Sequence, residues 1–195
     1  MPQRSDSTLK NEIFTVPNIL VYTRILLIPV FVILYLNATG QTGYVAAFVV
    51  MAVAFFTDFL DGKIARHFNC VTELGKTIDP IADKLYQFAV ALCLMIKYPA
   101  MTSVAAVLFV KEISMGIMGL VLIRKGGKIF GEKWYGKIST GFVDLTMVFL
   151  LIAPLFGLSV SQSVTDGLIY ACDAVLIVVA VMYTRLFASK IKELV

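Results

Sequence analysis

Apolar residues gather along this chain in six blocks, near 18–37, 43–62, 78–97, 101–123, 138–157 and 165–187. Each is close to the ~20 residues that a helix needs to cross the hydrocarbon of a bilayer. Polar and glycine-rich residues separate the blocks. The pattern predicts an all-α fold, a six-transmembrane-helix bundle, and residues 9–16 add the expectation of a short N-terminal interfacial helix lying on the membrane surface. Pro29 falls inside the first block and Pro80 near the start of the third, where each is expected to bend its helix or, for Pro80, to open it with Asp79 as the cap. No linker, repeat or low-complexity run divides the chain. Residues 1–16 therefore form a cytoplasmic juxtamembrane segment and residues 17–195 one helical domain.

Composition sharpens this picture. Among 195 residues, 59% are hydrophobic and 15% charged, with a mean hydropathy of +0.87. That balance excludes an ordinary soluble domain and predicts an integral membrane protein. The basic residues are uneven: Arg4 and Lys10 precede the first block, Lys63, Arg66 and Lys76 follow the second, Arg124, Lys125, Lys128, Lys133 and Lys137 follow the fourth, and Lys190 and Lys192 close the chain. The alternate connections are nearly bare, so the positive-inside rule puts both termini on the cytoplasmic side. A net charge of +4 suits an anionic membrane surface and anionic substrates, and no nucleic-acid partner is expected. Cys70, Cys93 and Cys172 lack metal-type spacing and read as free thiols. The polar start, Met1 to Ser7, shows no cleaved signal peptide.

Against this apolar background stand Asp58, Asp61, Asp79 and Asp83. A carboxylate at membrane depth costs roughly 2.5–3.5 kcal/mol on insertion scales, so four in so short a stretch need a reason. At 100° per residue, Asp58, Asp61, Gly62 and Ala65 fall within an arc of roughly 100°, with Arg66 beside it, while Gly75, Asp79 and Asp83 form an i, i+4, i+8 stripe on the next helix. Consecutive antiparallel helices can bring the two stripes together. Four carboxylates in one pocket stay ionised only around cations, and two divalent ions balance them. With no His or Cys in the cluster, the donors are all oxygen and favour Mg²⁺ or Mn²⁺. His67 faces away from this arc. The small residues Gly62, Ala65 and Gly75 serve either close helix packing or room for a nucleotide.

The pattern Asp58-x-x-Asp61-Gly62-x-x-Ala65-Arg66-x8-Gly75-x-x-x-Asp79-x-x-x-Asp83 resembles the signature of the CDP-alcohol phosphatidyltransferase family at every fixed position. The resemblance extends to Val16-Pro17-Asn18, to Arg24, and to Trp134-Tyr135-Gly136-Lys137 before the fifth helix. It implies a six-helix enzyme of the bacterial cytoplasmic membrane, usually a homodimer, that displaces CMP from a CDP-linked lipid by the hydroxyl of a second alcohol. By the same resemblance Asp58, Asp61, Asp79 and Asp83 hold two divalent ions, and Asp83 is also the general base. Asn18, Asp58, Gly62, Ala65, Arg66 and Gly75 then line the CDP-lipid site, with Arg66 on the diphosphate. In chain length and these flanking features the resemblance is to members of the family that take CDP-diacylglycerol as donor and glycerol 3-phosphate as acceptor, which it therefore implies here. An acceptor that carries its own phosphate needs further cations, for which Arg24, Lys111 and Lys137 are candidates. Related enzymes often have Arg-Glu where this chain has Lys111-Glu112, and Lys lacks the bidentate fork.

Bland readings stand beside these. Arg24 can snorkel to headgroups, and the basic connection 124–137 can be a solvated loop or a set of phosphate contacts. Phosphatidylglycerol is the rival acceptor, which would make the reaction cardiolipin synthesis. Of other classes, a cation or proton transporter would spread acids through the membrane depth rather than cluster them, and an intramembrane aspartyl protease would carry a Gly-x-Gly-Asp element that is missing here.

Overall fold

The computed structural model describes residues 16–67, 73–127, 131, 133–158 and 160–193; the side chains of residues 16, 17, 41, 58–67 and 73–77 lie outside that description. Of the interfacial helix expected over 9–16, residues 9–15 lie outside the described residues, as does Cys70, while Val16 opens the first helix. Among the described residues the fold is all-α. The helices are α1 (Val16–Leu36), α2 (Gly40–His67), α3 (Glu73–Leu94), α4 (Met101–Arg124), α5 (Trp134–Ile152) and α6 (Gln162–Lys192), with a 3₁₀ turn at Ala153–Phe156. Among the described residues four stretches are long and apolar enough to cross a bilayer: Asn18–Leu36, Met101–Arg124, Trp134–Phe156 and Gln162–Lys192. Thr42–Thr57 is a shorter apolar helix. α3 falls short on composition, since Glu73, Lys76, Asp79, Asp83 and Lys84 occupy its first half. The protein is thus an integral membrane protein with four candidate spans.

Helix ends differ from the apolar blocks in a consistent way. α2 and α6 run past their blocks into charged sequence, to His67 and Lys192. A helix can continue into the headgroup region, where its side chains meet water, so apolar content marks bilayer depth rather than helix length. α3 is offset the other way, starting at Glu73 and stopping at Leu94. Pro99 biases Tyr98 away from the helical region, and the turn that precedes it is closed by Tyr98 N–H donating to Leu94 C=O at 2.8 Å. Pro80 lies inside α3 rather than at its start. Having no N–H, it leaves the carbonyl four residues back without its helical donor.

The chain forms two compact units, residues 1–93 and 94–195. In the first, α1 packs on α2 through a tight link. Gly40 opens α2 with φ +65°, and a Cβ on Gly43 would stand 2.7 Å from Ala38 Cα, so only glycine allows that approach. Phe31 and Tyr35 of α1 together join the unit's three helices: the Phe31 ring lies 5.9 Å from Tyr35 and 6.0 Å from Tyr86 of α3, and Tyr35 meets Tyr44 of α2 edge-on at 5.5 Å. In the second unit α6 packs against both α4 and α5, around Leu122, Val179, Tyr183 and Phe187. Polar bonds knit its helices: Tyr98 Oη donates to Leu150 C=O at 3.0 Å, Ser103 Oγ to Asp173 Oδ2 at 2.5 Å, and Cys172 Sγ to Thr146 Oγ1 at 3.3 Å. Large apolar side chains such as Leu26, Ile33, Val110, Leu120 and Leu145 remain exposed. Water would penalise that surface, and lipid does not. Cys93 and Cys172 are free thiols buried in the helices.

Candidate functional site

In the first unit the chemistry gathers where α1 meets the first half of α3. Asp79 and Asp83 stand four residues apart, so one helical turn places both carboxylates on the same face. Arg24 of α1 reaches them with a single nitrogen. Its Nη1 donates to Asp79 Oδ1 at 2.9 Å and to Asp83 Oδ1. Arg24 is 2% exposed, whereas the two acids are 37% and 40% exposed. The acids are therefore open on one side, and the buried guanidinium backs them on the other. Two like charges this close repel, and a charge facing both removes the conflict: at an effective dielectric near 20, one contact of about 4 Å is worth about 4 kcal/mol before desolvation. That attraction also makes a buried arginine tolerable in an apolar helix.

Asn18 lies about two turns before Arg24 on α1 and is buried. Asp58, Asp61, Gly62, Ala65 and Arg66 are on the last turns of α2 and Gly75 on the first turn of α3, with side chains outside the described residues. Among the described residues no three His, Cys, Asp or Glu side chains form a metal-sized group. The two proposed ligands that are described, Asp79 and Asp83, do lie together.

The second unit holds the other two cations. Lys111 of α4 is 3% exposed, and its Nζ donates to Glu112 Oε1 at 2.8 Å. It borders a groove of about 340 Å³ between α4 and α6, walled by Val110, Ser114, Met115, Ile177 and Val181 among others. Lys137 is exposed on the first turn of α5, just after the basic connection. Gly126 turns the chain out of α4 with φ +82°.

Three interactions escaped the sequence. Its place within the first apolar block leaves Arg24 either snorkelling to headgroups or binding an anion, and cannot show that its partners are Asp79 and Asp83, which lie 55 and 59 residues away. Asp173, a carboxylate within α6, is bonded by Ser103 and carries no motif signal. The Tyr183 hydroxyl accepts the Lys133 backbone N–H at 2.9 Å, and nothing in a membrane-helix tyrosine announces such a role.

Comparison with known proteins adds an independent line. A "Probable phosphatidylglycerophosphate synthase" of Mycobacterium tuberculosis (strain ATCC 25618 / H37Rv) is 29% identical over 158 residues, which is 80% of this chain and 74% of that protein. The "CDP-diacylglycerol–glycerol-3-phosphate 3-phosphatidyltransferase" of Aquifex aeolicus is 30% identical over 172 residues, 87% of this chain and 93% of that protein. A "Cardiolipin synthase (CMP-forming)" of Streptomyces coelicolor is 29% identical over 163 residues, 83% of this chain and 76% of that protein. The family model for CDP-alcohol phosphatidyltransferase matches residues 14–187, a span that holds every one of the signature positions from Asp58 to Asp83 as well as Arg24, Lys111 and Lys137. The chain is an enzyme of the CDP-alcohol phosphatidyltransferase family.

Proposed function

We propose that this enzyme transfers the phosphatidyl group of CDP-diacylglycerol to sn-glycerol 3-phosphate, giving phosphatidylglycerol phosphate and CMP. The observation that carries the chemistry is the unbroken signature with Asp79 and Asp83 side by side on α3, open on one face and backed by Arg24. The acceptor is supported by the names of the Mycobacterium and Aquifex relatives. The Streptomyces relative supports a second reading, in which phosphatidylglycerol is the acceptor and the product is cardiolipin. The enzyme works in the bacterial cytoplasmic membrane as a six-span homodimer, its site and termini facing the cytoplasm, an orientation that the charge asymmetry of its connections supports.

The donor set fits a hard divalent ion. Asp79 and Asp83 offer oxygen alone, on one helical face and with more than a third of each residue accessible. Together with Asp58 and Asp61 they would hold two ions, Mg²⁺ or Mn²⁺. When bound, such ions neutralise the diphosphate and stabilise the departing CMP oxygen. The remaining steps belong to the side chains. Arg66 pairs with the diphosphate, while Gly62, Ala65 and Gly75 leave space for the cytidine and Asn18 borders it. Lys111, Lys137 and Arg24 hold the acceptor phosphate, with Arg24 close enough to the acids to bring the hydroxyl beside them. Asp83 takes the hydroxyl proton as the oxygen bonds to the phosphatidyl phosphorus and the bond to CMP breaks. None of the signature's fixed positions is a Ser, Cys or His that could serve as a covalent nucleophile, so transfer is direct, with inversion at phosphorus.

The reading is tested by giving purified protein CDP-diacylglycerol, Mg²⁺ and both acceptors at once, and weighing the lipid product by mass spectrometry. Phosphatidylglycerol phosphate formed in step with CMP is expected. Cardiolipin as the sole product would replace this reading with the second.

A further inference from the structure

α5 starts at Trp134, directly after the basic connection, with Lys133 as the residue before it. Lys133 is extended (φ −79°, ψ 158°) and no side chain caps this end of the helix. Its N–H instead donates to Tyr183 Oη at 2.9 Å. Its carbonyl accepts from Gly136 N–H at 3.0 Å and Lys137 N–H at 3.2 Å, closing the first turn. A single residue is thus fixed at both ends: α6 grips its N–H, and its C=O starts the helix. The usual N-terminal partner is a Ser, Thr, Asp or Asn beside the turn, which moves with it. Here the partner comes from 50 residues away.

Tyr183 is well suited to be a fixed point. It is 2% exposed within the cluster of Leu122, Val179 and Phe187, and its ring lies 4.9 Å from Tyr135 on the same first turn of α5. The ring holds the body of that turn, and the hydroxyl sets where its backbone begins. We propose that Tyr183 is a positioning residue for the acceptor: it fixes the first turn of α5 so that Lys137 is presented at one place and angle to the acceptor's phosphate. The inference rests on the acceptor role given to Lys137 above. Misplacing a charged group loses binding without touching the reacting bonds, so the effect belongs in KM for the acceptor.

The test is Tyr183→Phe, which keeps the packed ring and removes only the hydroxyl. KM for glycerol 3-phosphate should rise roughly 3–10-fold, the equivalent of one ordinary hydrogen bond, with kcat and KM for CDP-diacylglycerol holding. Hydrogen exchange at the Gly136 and Lys137 amides should quicken. In a Lys137→Ala background, Tyr183→Phe should have no further effect on that KM, because both changes act through one contact. A uniform loss in kcat, an unchanged acceptor KM, or additive effects in the double variant would each overturn the proposal. Absence of glycerol 3-phosphate-dependent CMP release by the wild type would instead overturn the acceptor reading, and unchanged amide exchange in Tyr183→Phe would overturn the tether whatever the acceptor.

Discussion

Asp83 separates binding from turnover by one atom. Asp83→Asn keeps the side chain's shape and one oxygen donor but cannot take the acceptor's proton. CMP formation should fall about 10²–10⁴-fold, the ordinary worth of a positioned base, while equilibrium binding of CDP-diacylglycerol persists; near-wild-type turnover would refute the assignment. Arg24 makes a different claim, about charge. Arg24→Gln strips the buried cation from Asp79 and Asp83. It should lower stability by about 1–3 kcal/mol, less than the ~3–5 of a fully buried pair, because the acids are 37% and 40% exposed. Thermal unfolding in chelator should show that loss, and Mg²⁺ should recover more stability in the variant than in the wild type. Equal recovery would mean that the arginine and the ion do not answer the same charges. The shared face of Asp79 and Asp83 was legible from their spacing, since i, i+4 is fixed by helix geometry. The arginine's partners were not, because contacts between helices far apart in sequence depend on packing that no local pattern encodes.

The helices were legible as blocks and blurred at their ends. Six apolar runs gave the order and number of helices found among the described residues, and the fourth block nearly coincides with Met101–Arg124. Elsewhere the boundaries slid, because hydrophobicity reports on depth in the bilayer while turns are set by particular residues. The link between α1 and α2 shows this. Gly43 looks like any small residue in an apolar run, yet its missing Cβ is what lets α2 pass Ala38. Gly43→Ala should therefore cost about 1–3 kcal/mol as the overpacked link shifts. Gly167 of α6 is the contrast, since a Cβ added there would meet nothing within 4 Å. Gly167→Ala should be neutral or stabilise by up to about 1 kcal/mol through helix propensity. Comparing the two unfolding midpoints checks both, and similar shifts would contradict the close approach at Gly43.

Across the whole molecule, one contradiction organises the chain: an apolar membrane protein that nonetheless keeps four aspartates in a single signature. Lipid solvation explains the exposed Leu, Ile and Val side chains, and it makes every retained carboxylate a cost that function must justify. Phosphoryl transfer from a charged diphosphate justifies it, because anionic substrates and anionic side chains can share a site only across cations. The family and its reaction class were legible in that signature; the acceptor was less so, because the cations proposed for it, Arg24, Lys111 and Lys137, are scattered single residues with no fixed spacing to mark them. The deciding measurement is CMP release from CDP-diacylglycerol and glycerol 3-phosphate by protein stripped of divalent ions and then resupplied with Mg²⁺. Release should vanish on stripping and return with Mg²⁺. Undiminished release from the stripped protein would contradict the purpose assigned to the four aspartates.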